Sequence, residues 1–394
     1  MSIQSIKELP IEGKKVFIRV DFNVPLTRDG KVADTTRIDA ALPTIRFALE
    51  KGVRVILASH LGRPKGKVDM KFSMEPVGMV LAEKLDMEIK LADSAVGDGP
   101  FKLASELRDG EVLLLENLRF HPGETSNDES FARALASMAD VYVNDAFGTS
   151  HRAHASTAGM VPFVEEAGAG FLLEKEVNFF EKLLSSPDKP FVAILGGAKV
   201  SDKVGVIRKL MDLVDKIIIG GAMANTFLSA QGFKTGQSRV EEDKISLCKE
   251  LLQNAKARNI DILLPKDVVI AASLDATETE IVGISEGVDP DKMALDIGPE
   301  TVEMFLDALT DARTIFWNGP MGVFENPVLA VGTMNLAQGV AKSKGMTVIG
   351  GGDSVSAINK AGLADKISHI STGGGASLEM MEGLLLPGLQ ALAR

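Results

Sequence analysis

VFIRVDF (16–22), a helix-like stretch opening at DTTRID (34–39), then VRVILAS (53–59): this succession decides the fold. Both apolar runs hold Val, Ile, Leu and Phe on consecutive rather than alternating positions, as strands buried on two faces do. Parallel strands of that kind need a crossover of a dozen or more residues, and the interval between the two runs supplies it. The same rhythm continues through EVLLLEN (111–117) and VYVNDAF (141–147), and again through FVAILGG (191–197), KIIIGG (216–221), DILLP (261–265), TIFWNG (314–319) and TVIGGG (347–352). The expectation is an α/β protein with two open, mostly parallel sheets flanked by helices.

A chain of 394 residues also exceeds one core at ~150 residues per domain. Between the two sets of runs lies FLLEKEVNFFEKLLSSPDKP (171–190), whose Phe171, Leu172, Phe179 and Leu183 suit a helix with one buried face, ended by SSPDKP. The expected division is a first Rossmann-like domain over 1–170, an interdomain helix and hinge over 171–185, a second Rossmann-like domain over 186–376, and a tail over 377–394. In that tail, ASLEMMEGLLLPGLQALAR (376–394) reads as a helix stopped at Pro387-Gly388 and followed by a short apolar stretch.

Composition narrows the class. The one cysteine, Cys248 in ISLCKELL (245–252), reads as a small buried hydrophobe and excludes a disulfide scaffold. MSIQSIKELPIEGKK (1–15) has no apolar signal-type core, and no window approaches the ~18 apolar residues of a membrane span, so a cytoplasmic protein is expected. With 43 Lys and Arg against 54 Asp and Glu, a net charge of −11 makes nucleic acid or an anionic membrane a poor partner. Basic residues that cluster locally against that background are therefore informative.

In open parallel sheets, ligands bind beyond the carboxyl ends of the strands. In the first half those positions carry Asp21 and Asn23, His60 and Arg63 in SHLGRP, Arg119 in ENLRF and Arg152 in SHRAHAS, with Arg37 in DTTRID close by. Arginine forks grip carboxylates and phosphates bidentately, so this set reads as a pocket for a small, multiply charged anion. His121, His154 and His369 read as structural. The second half ends its runs in glycine: LGGAK (195–199), IIGGAMAN (218–225), WNGPMG (317–322), IGGGDS (349–354) and, at a helix start, STGGGAS (371–377). Glycine lets backbone N–H groups approach phosphate oxygens, and a following helix adds its positive end, so these loops read as a nucleotide site. One such loop alone is equally explained by the turn it makes.

No G-x-x-x-x-G-K-[ST] occurs, and GGGDSV (350–355) has Val355 where a dinucleotide fingerprint needs its third glycine. Asp353 instead follows the glycines; a carboxylate there suits Mg2+ held with nucleotide phosphates, or alternatively the N-cap of the next helix. Lys199 and Lys203 in GGAKVSDK (196–203) stand at i and i+4, so a helix starting near Ala198 would put both on one face.

KVFIRVDFNVP (15–25), SHLGRPKG (59–66), NLRFHPGE (117–124), YVNDAFGTSHRAHAS (142–156), ILGGAKVSDK (194–203), FWNGPMGVFE (316–325), VIGGGDS (348–354) and STGGGAS (371–377) together resemble the phosphoglycerate kinase family, in the family's order and across nearly the whole chain. That resemblance implies reversible phosphoryl transfer between ATP and the carboxylate of 3-phosphoglycerate, giving ADP and 1,3-bisphosphoglycerate. It places the acid on Asp21, Asn23, Arg37, the turn His60, Leu61, Gly62 and Arg63, Arg119 and Arg152. The nucleotide falls on Lys203, Glu325 at the ribose, and Gly351, Gly352, Asp353 and Ser354 at the phosphates, with Asp353 holding magnesium. In KMALDIGP (292–299), Ala294 stands where the family commonly has glycine beside the adenine. Glu325 in VFENP has a second reading as a turn cap. The resemblance also implies a monomer and a C-terminal tail carried back onto the first domain.

A carboxylate acceptor with a pKa near ~4 is already ionised, so the implied reaction needs no general base. What it needs is in-line positioning and neutralisation of phosphoryl charge. Those roles fall to Arg37, Lys199, Lys203 and the amides of Gly374 and Gly375, brought together by hinge closure. The competing readings are a nicotinamide-dependent dehydrogenase and a catalytically silent nucleotide-binding protein.

Overall fold

A computed structural model describes residues 3–393. By contact density the chain divides into two compact units, Met1–Asn178 with Leu385–Arg394, and Phe179–Leu384. The cut falls inside the helix Phe171–Ser185, which leaves the first unit and enters the second. The tail returns to the first unit from Leu385, later than the 377 expected from sequence, because the helix Gly374–Met381 belongs to the second unit.

In the first unit, β1 (Lys15–Val20), β2 (Arg54–Ala58), β3 (Ile89–Leu91), β4 (Val112–Leu114), β5 (Val141–Asp145) and β6 (Glu166–Ala169) form one six-stranded sheet in the order β3-β4-β2-β1-β5-β6. Every pairing in it is parallel; Val16, for example, stands opposite Val55 on one side and Val141 on the other. Val16, Ile18 and Val20 of β1 pack with Ile38, Ala41, Ile45 and Ala48 of the helix Thr36–Glu50. Those four helix positions recur at three- and four-residue spacing, the buried stripe of an amphipathic helix. Strand order reverses beside β1, so the crevice opens at the carboxyl ends of β2, β1 and β5.

The second unit repeats the plan. β7 (Phe191–Leu195), β8 (Lys216–Ile219), β9 (Asp261–Leu263), β13 (Thr314–Asn318), β14 (Met346–Gly350) and β15 (His369–Ile370) make a six-stranded parallel sheet in the order β15-β14-β13-β7-β8-β9. Its reversal lies between β7 and β13, whose ends carry Gly196 and Gly319. A smaller antiparallel sheet, β11-β10-β12, is built from β10 (Asp267–Ala271), β11 (Glu280–Gly283) and β12 (Met293–Ile297).

The helix Phe171–Ser185 buries a face that only partly matches the expected one. Leu173, Val177, Phe180 and Leu183 are buried, whereas Phe171, Leu172 and Phe179 are only partly so. Pro387 does not stop a helix. Gly383, at φ +80°, ends Gly374–Met381, and Pro387 opens a short helix, Pro387–Gln390, where its missing N–H costs nothing.

Candidate active site

The basic residues of the first unit are fixed by its strand ends. Arg37, in the first turn of Thr36–Glu50, pairs with the largely buried Asp21 just past β1. Asn23 Oδ1 accepts the Gly62 N–H at 2.8 Å, and Arg119 donates to the Gly62 carbonyl at 2.9 Å. Asn117, past β4, holds the same turn: its Oδ1 accepts the Leu61 N–H at 3.2 Å, and its Nδ2 donates to the Leu61 carbonyl at 2.7 Å. Leu61 itself is a core side chain, so only its backbone can face a ligand. Arg63, Arg119 and Arg152 line an open cavity of about 290 Å³ together with Lys65, Gly66, Thr125 and His154.

Beneath that cavity lies a residue the strand-end reading passed over. Arg19 sits within β1, 1% exposed, and donates to Ser156 Oγ at 2.8 Å and to the Val20 carbonyl. Ser156 in turn donates at 2.6 Å to Glu124, which has no exposure and also accepts the Ser156 N–H at 3.0 Å. A charge inside a fully buried run must be partnered, and VFIRVDF shows the cation openly; that was the available signal. Arg19 also places Nη2 3.3 Å from His60 Nδ1. Arginine only donates, so Nδ1 accepts and the proton of the neutral ring lies on Nε2. Burial first, then Arg19, Arg119, Arg152 and Arg37, hold the His60 pKa well below its usual value. Burial and neighbouring arginines likewise bring Arg119 down to about 10 and His154 to about 4. His154, expected to be structural, therefore stands as a neutral wall of the cavity. The site is a concentrated cationic field with uncharged imidazoles, suited to an anion of more than one charge.

In the second unit the glycine loops are stitched to one another. The Gly196 N–H donates to the Asn318 carbonyl at 2.9 Å, Gly197 to Pro320 at 3.0 Å, and Gly221 to Met321 at 3.0 Å. Gly351, at φ +87°, is the N-cap of the helix Gly352–Lys360, and a Cβ there would stand 2.9 Å from Asn318 Nδ2. A Cβ on Gly374 would lie 3.9 Å from the Gly352 nitrogen, so the starts of Gly352–Lys360 and Gly374–Met381 adjoin. Two helix N-termini at one place concentrate unpaired amides and positive dipole ends. Lys203, 7% exposed, joins them by donating to Asn318 Oδ1. Burial lowers its pKa to about 8, against the pull of Asp202 and Asp353.

Several expectations change here. No helix starts near Ala198: Lys203 is the N-cap of Val204–Leu210, and Lys199 lies exposed in the preceding loop. Glu241 imposes this, its carboxylate accepting the Val200 and Ser201 N–H groups at 2.5 and 3.2 Å and turning the chain away from a helix. The two lysines therefore share no helix face. Asp353 is not the N-cap, which is Gly351; it stands exposed in the first turn. Ser354 is buried, and its hydroxyl accepts the Gly319 N–H, tying two loops together. At the turn after Phe324, Asn326 supplies the cap, accepting the Val328 N–H at 3.2 Å, while Glu325 is exposed. Ala294, in β12, borders a cavity of about 10 Å³ with Gly221, Asn225 and Met321, room for about one water.

Among the described residues no three His, Cys, Asp or Glu side chains gather as a metal cage. The exposed Asp353 carboxylate beside the Gly351 turn suits a cation that keeps water and phosphate oxygens as its other ligands, as Mg2+ does.

The chain matches the phosphoglycerate kinase family over residues 6–384. It is 55% identical to the phosphoglycerate kinase of Anaeromyxobacter sp. over 394 residues, covering 100% of both chains, and 51% identical to that of Pseudothermotoga lettingae over 390 residues, covering 99% of this chain and 98% of the relative. Its structure is similar to that of phosphoglycerate kinase from Coxiella burnetii, with a TM-score of 0.90 and 39% identity over 99% of each chain. A likeness to phosphoglycerate kinase from Pyrococcus horikoshii has a TM-score of 0.86 and 34% identity over 98% of each. A family match across both units, joined to an arginine cleft in one and paired helix N-termini in the other, leaves a single conclusion: the chain belongs to the phosphoglycerate kinase family.

Proposed function

We propose that this protein is a phosphotransferase catalysing reversible, magnesium-dependent transfer of the γ-phosphoryl group of ATP to the carboxylate of 3-phosphoglycerate, a step of glycolysis and gluconeogenesis. The observation that carries the reading is the combination, in a chain of this family, of the arginine-lined cleft and the adjoining helix N-termini with the buried Lys203. The acid lies on Arg63, Arg119 and Arg152 with Asp21, Asn23, Arg37 and the His60–Arg63 turn. The nucleotide phosphates meet the amides of Gly351, Gly352, Gly374 and Gly375, with Glu325 at the ribose and Ala294 at the base. Magnesium, held by Asp353 with phosphate oxygens, would neutralise charge between phosphates.

The acceptor carboxylate arrives ionised, so no side chain needs to remove a proton, and a neutral His60 fits that requirement. Arg37, Lys199 and Lys203 supply positive charge to the moving phosphoryl oxygens, and the helix-start amides complete the oxyanion contacts. The two units approach during the reaction and exclude water that would otherwise hydrolyse the acyl phosphate. The protein works as a cytoplasmic monomer; the buried Cys248, whose thiol is pushed up to about 12, fits a reducing compartment.

Purified protein with magnesium-ATP should release ADP only when 3-phosphoglycerate is present. Arg37→Ala should lower that rate about a hundredfold, the worth of one transition-state donor at ~3 kcal/mol. ADP release indifferent to the acid would overturn the assignment.

A further inference from the structure

The helix Phe171–Ser185 carries the chain from the first unit into the second, and its start is closed by two side chains. Thr44 Oγ1, from the helix Thr36–Glu50, accepts the Phe171 N–H at 2.9 Å. Asp145 Oδ1, at the end of β5, accepts the Leu172 and Leu173 N–H groups at 2.9 and 3.3 Å. The Gly170 N–H ahead of them donates to the Asn144 carbonyl at 2.8 Å, and the Glu174 N–H makes the first bond within the helix, to the Gly170 carbonyl at 2.9 Å. All four orphan donors of this helix are thereby taken up inside the protein. Asp145 is fully buried, and Gly170 leaves it room, because a Cβ there would overlap the carboxylate.

The three elements meeting at Asp145 are the ones that matter to the proposed site. Thr36–Glu50 begins with Arg37, β5 runs on to Arg152, and the third is the departing helix. We propose that Asp145 is a positioning residue for phosphoryl transfer: with Thr44 it fixes the direction in which the interdomain helix leaves the two elements, the helix Thr36–Glu50 and β5, that lead to Arg37 and Arg152. This rests on the functional reading above, since the effect on turnover requires it, whereas the capping geometry does not.

Burial raises the Asp145 pKa to about 7, and the Thr44 hydroxyl and the Leu173 and Leu172 amides, which pull the other way, do not offset it. The charged groups on the elements packed around this helix start are Glu174, which accepts the Ser5 hydroxyl at 2.8 Å, and Lys7, 5.0 Å over the Phe171 ring. Neither is among the influences on Asp145. The carboxylate therefore gains its proton near neutrality. Oδ2, which receives neither amide, is the oxygen free to take it. Protonation removes the negative charge facing the helix start and weakens the hold on Leu172 and Leu173.

The test compares wild type with Asp145→Asn, which keeps an accepting oxygen and removes the charge, and with Thr44→Val. The protection of the Leu172 and Leu173 amides, taken as exchange relative to an unstructured chain at the same pH, should fall in wild type as pH drops from 8 to 6, and should be low and pH-independent in Asp145→Asn. For turnover, Asp145→Asn should lower kcat about three- to tenfold with KM for 3-phosphoglycerate within about twofold, and should flatten the pH dependence of kcat between 6 and 8. Thr44→Val should quicken exchange at Phe171 and, by removing a hydroxyl that holds the Asp145 pKa down, move the pH response of Leu172 and Leu173 to higher pH. If exchange at Leu172 and Leu173 is the same in wild type and Asp145→Asn at every pH, or if the variants change KM alone, the proposal fails. Absence of 3-phosphoglycerate-dependent turnover in wild type would instead sink the functional reading, and exchange would still judge the cap.

Discussion

Lys203 is the residue on which solution chemistry bears most directly. Its ammonium, brought down to about 8 by burial, is a cation at pH 7 and loses that charge as pH rises through 8. The quantity that reports free-enzyme ionisation, kcat/KM for ATP, should therefore fall on an alkaline limb near 8. Lys203→Arg, whose guanidinium stays charged, should move that limb out of range; an identical limb in the variant would exclude Lys203 as its source. How such residues could be read from sequence depended on where they stood. Arg119 and Arg152 follow strands, and Arg37 opens the first helix, so all three announce themselves. Arg19 and its partner Glu124 are visible only through the cost of burying charge, and the pairing between them runs through Ser156, far away in sequence. Lys199 and Lys203 shared a spacing that suggested a helix face, and the long-range carboxylate of Glu241 defeated it.

Among the elements, the loop after β8 shows how narrowly the glycine edge is built. Gly221 has φ +66°, and a Cβ there would meet Gly197 N at 2.6 Å and the Pro320 carbonyl oxygen at 2.8 Å. Backbone cannot yield as a side chain can, so Gly221→Ala combines left-handed strain with overpacking, about 2–5 kcal/mol. Gly232→Ala is the control: φ is +92° and nothing stands within 4 Å, so only the strain is felt. Thermal unfolding should separate the two variants by several degrees, roughly 2–4 °C for each kcal/mol; equal losses would mean that the contact is immaterial. The strands at and near the middle of both parallel sheets were legible as apolar runs rich in Val, Ile and Leu; the edge strands β3 (IKL), β6 (EAGA) and β15 (HI) were not, being two to four residues long with too few apolar positions to make a run. β10 to β12 were not, although DVVIA is equally buried, because they are short, antiparallel and separated by polar turns, with a register shift between Val269 and Ile270. Pro387 was misjudged because proline marks a helix start as well as a stop, and only the chain before it decides which.

For the molecule as a whole, the proposed approach of the two units predicts a smaller radius of gyration in X-ray scattering with 3-phosphoglycerate and magnesium-ATP together than with either alone. An unchanged radius would count against closure. The sequence offers the order of strands and the long helix after the first set as grounds for expecting two domains. The point where the tail rejoins the first unit has no such signal, since it depends on packing: Leu386, Leu389 and Leu392 are buried, and the Gly388 N–H donates to the Ser150 carbonyl at 2.8 Å. That return has a consequence for biosynthesis. On the ribosome the first unit is translated early, yet the leucines that finish its packing emerge only after all of Phe179–Leu384 has been made. Translation thus delivers the leucines that cover the first unit beside Ser150 only after the whole sequence of the second unit.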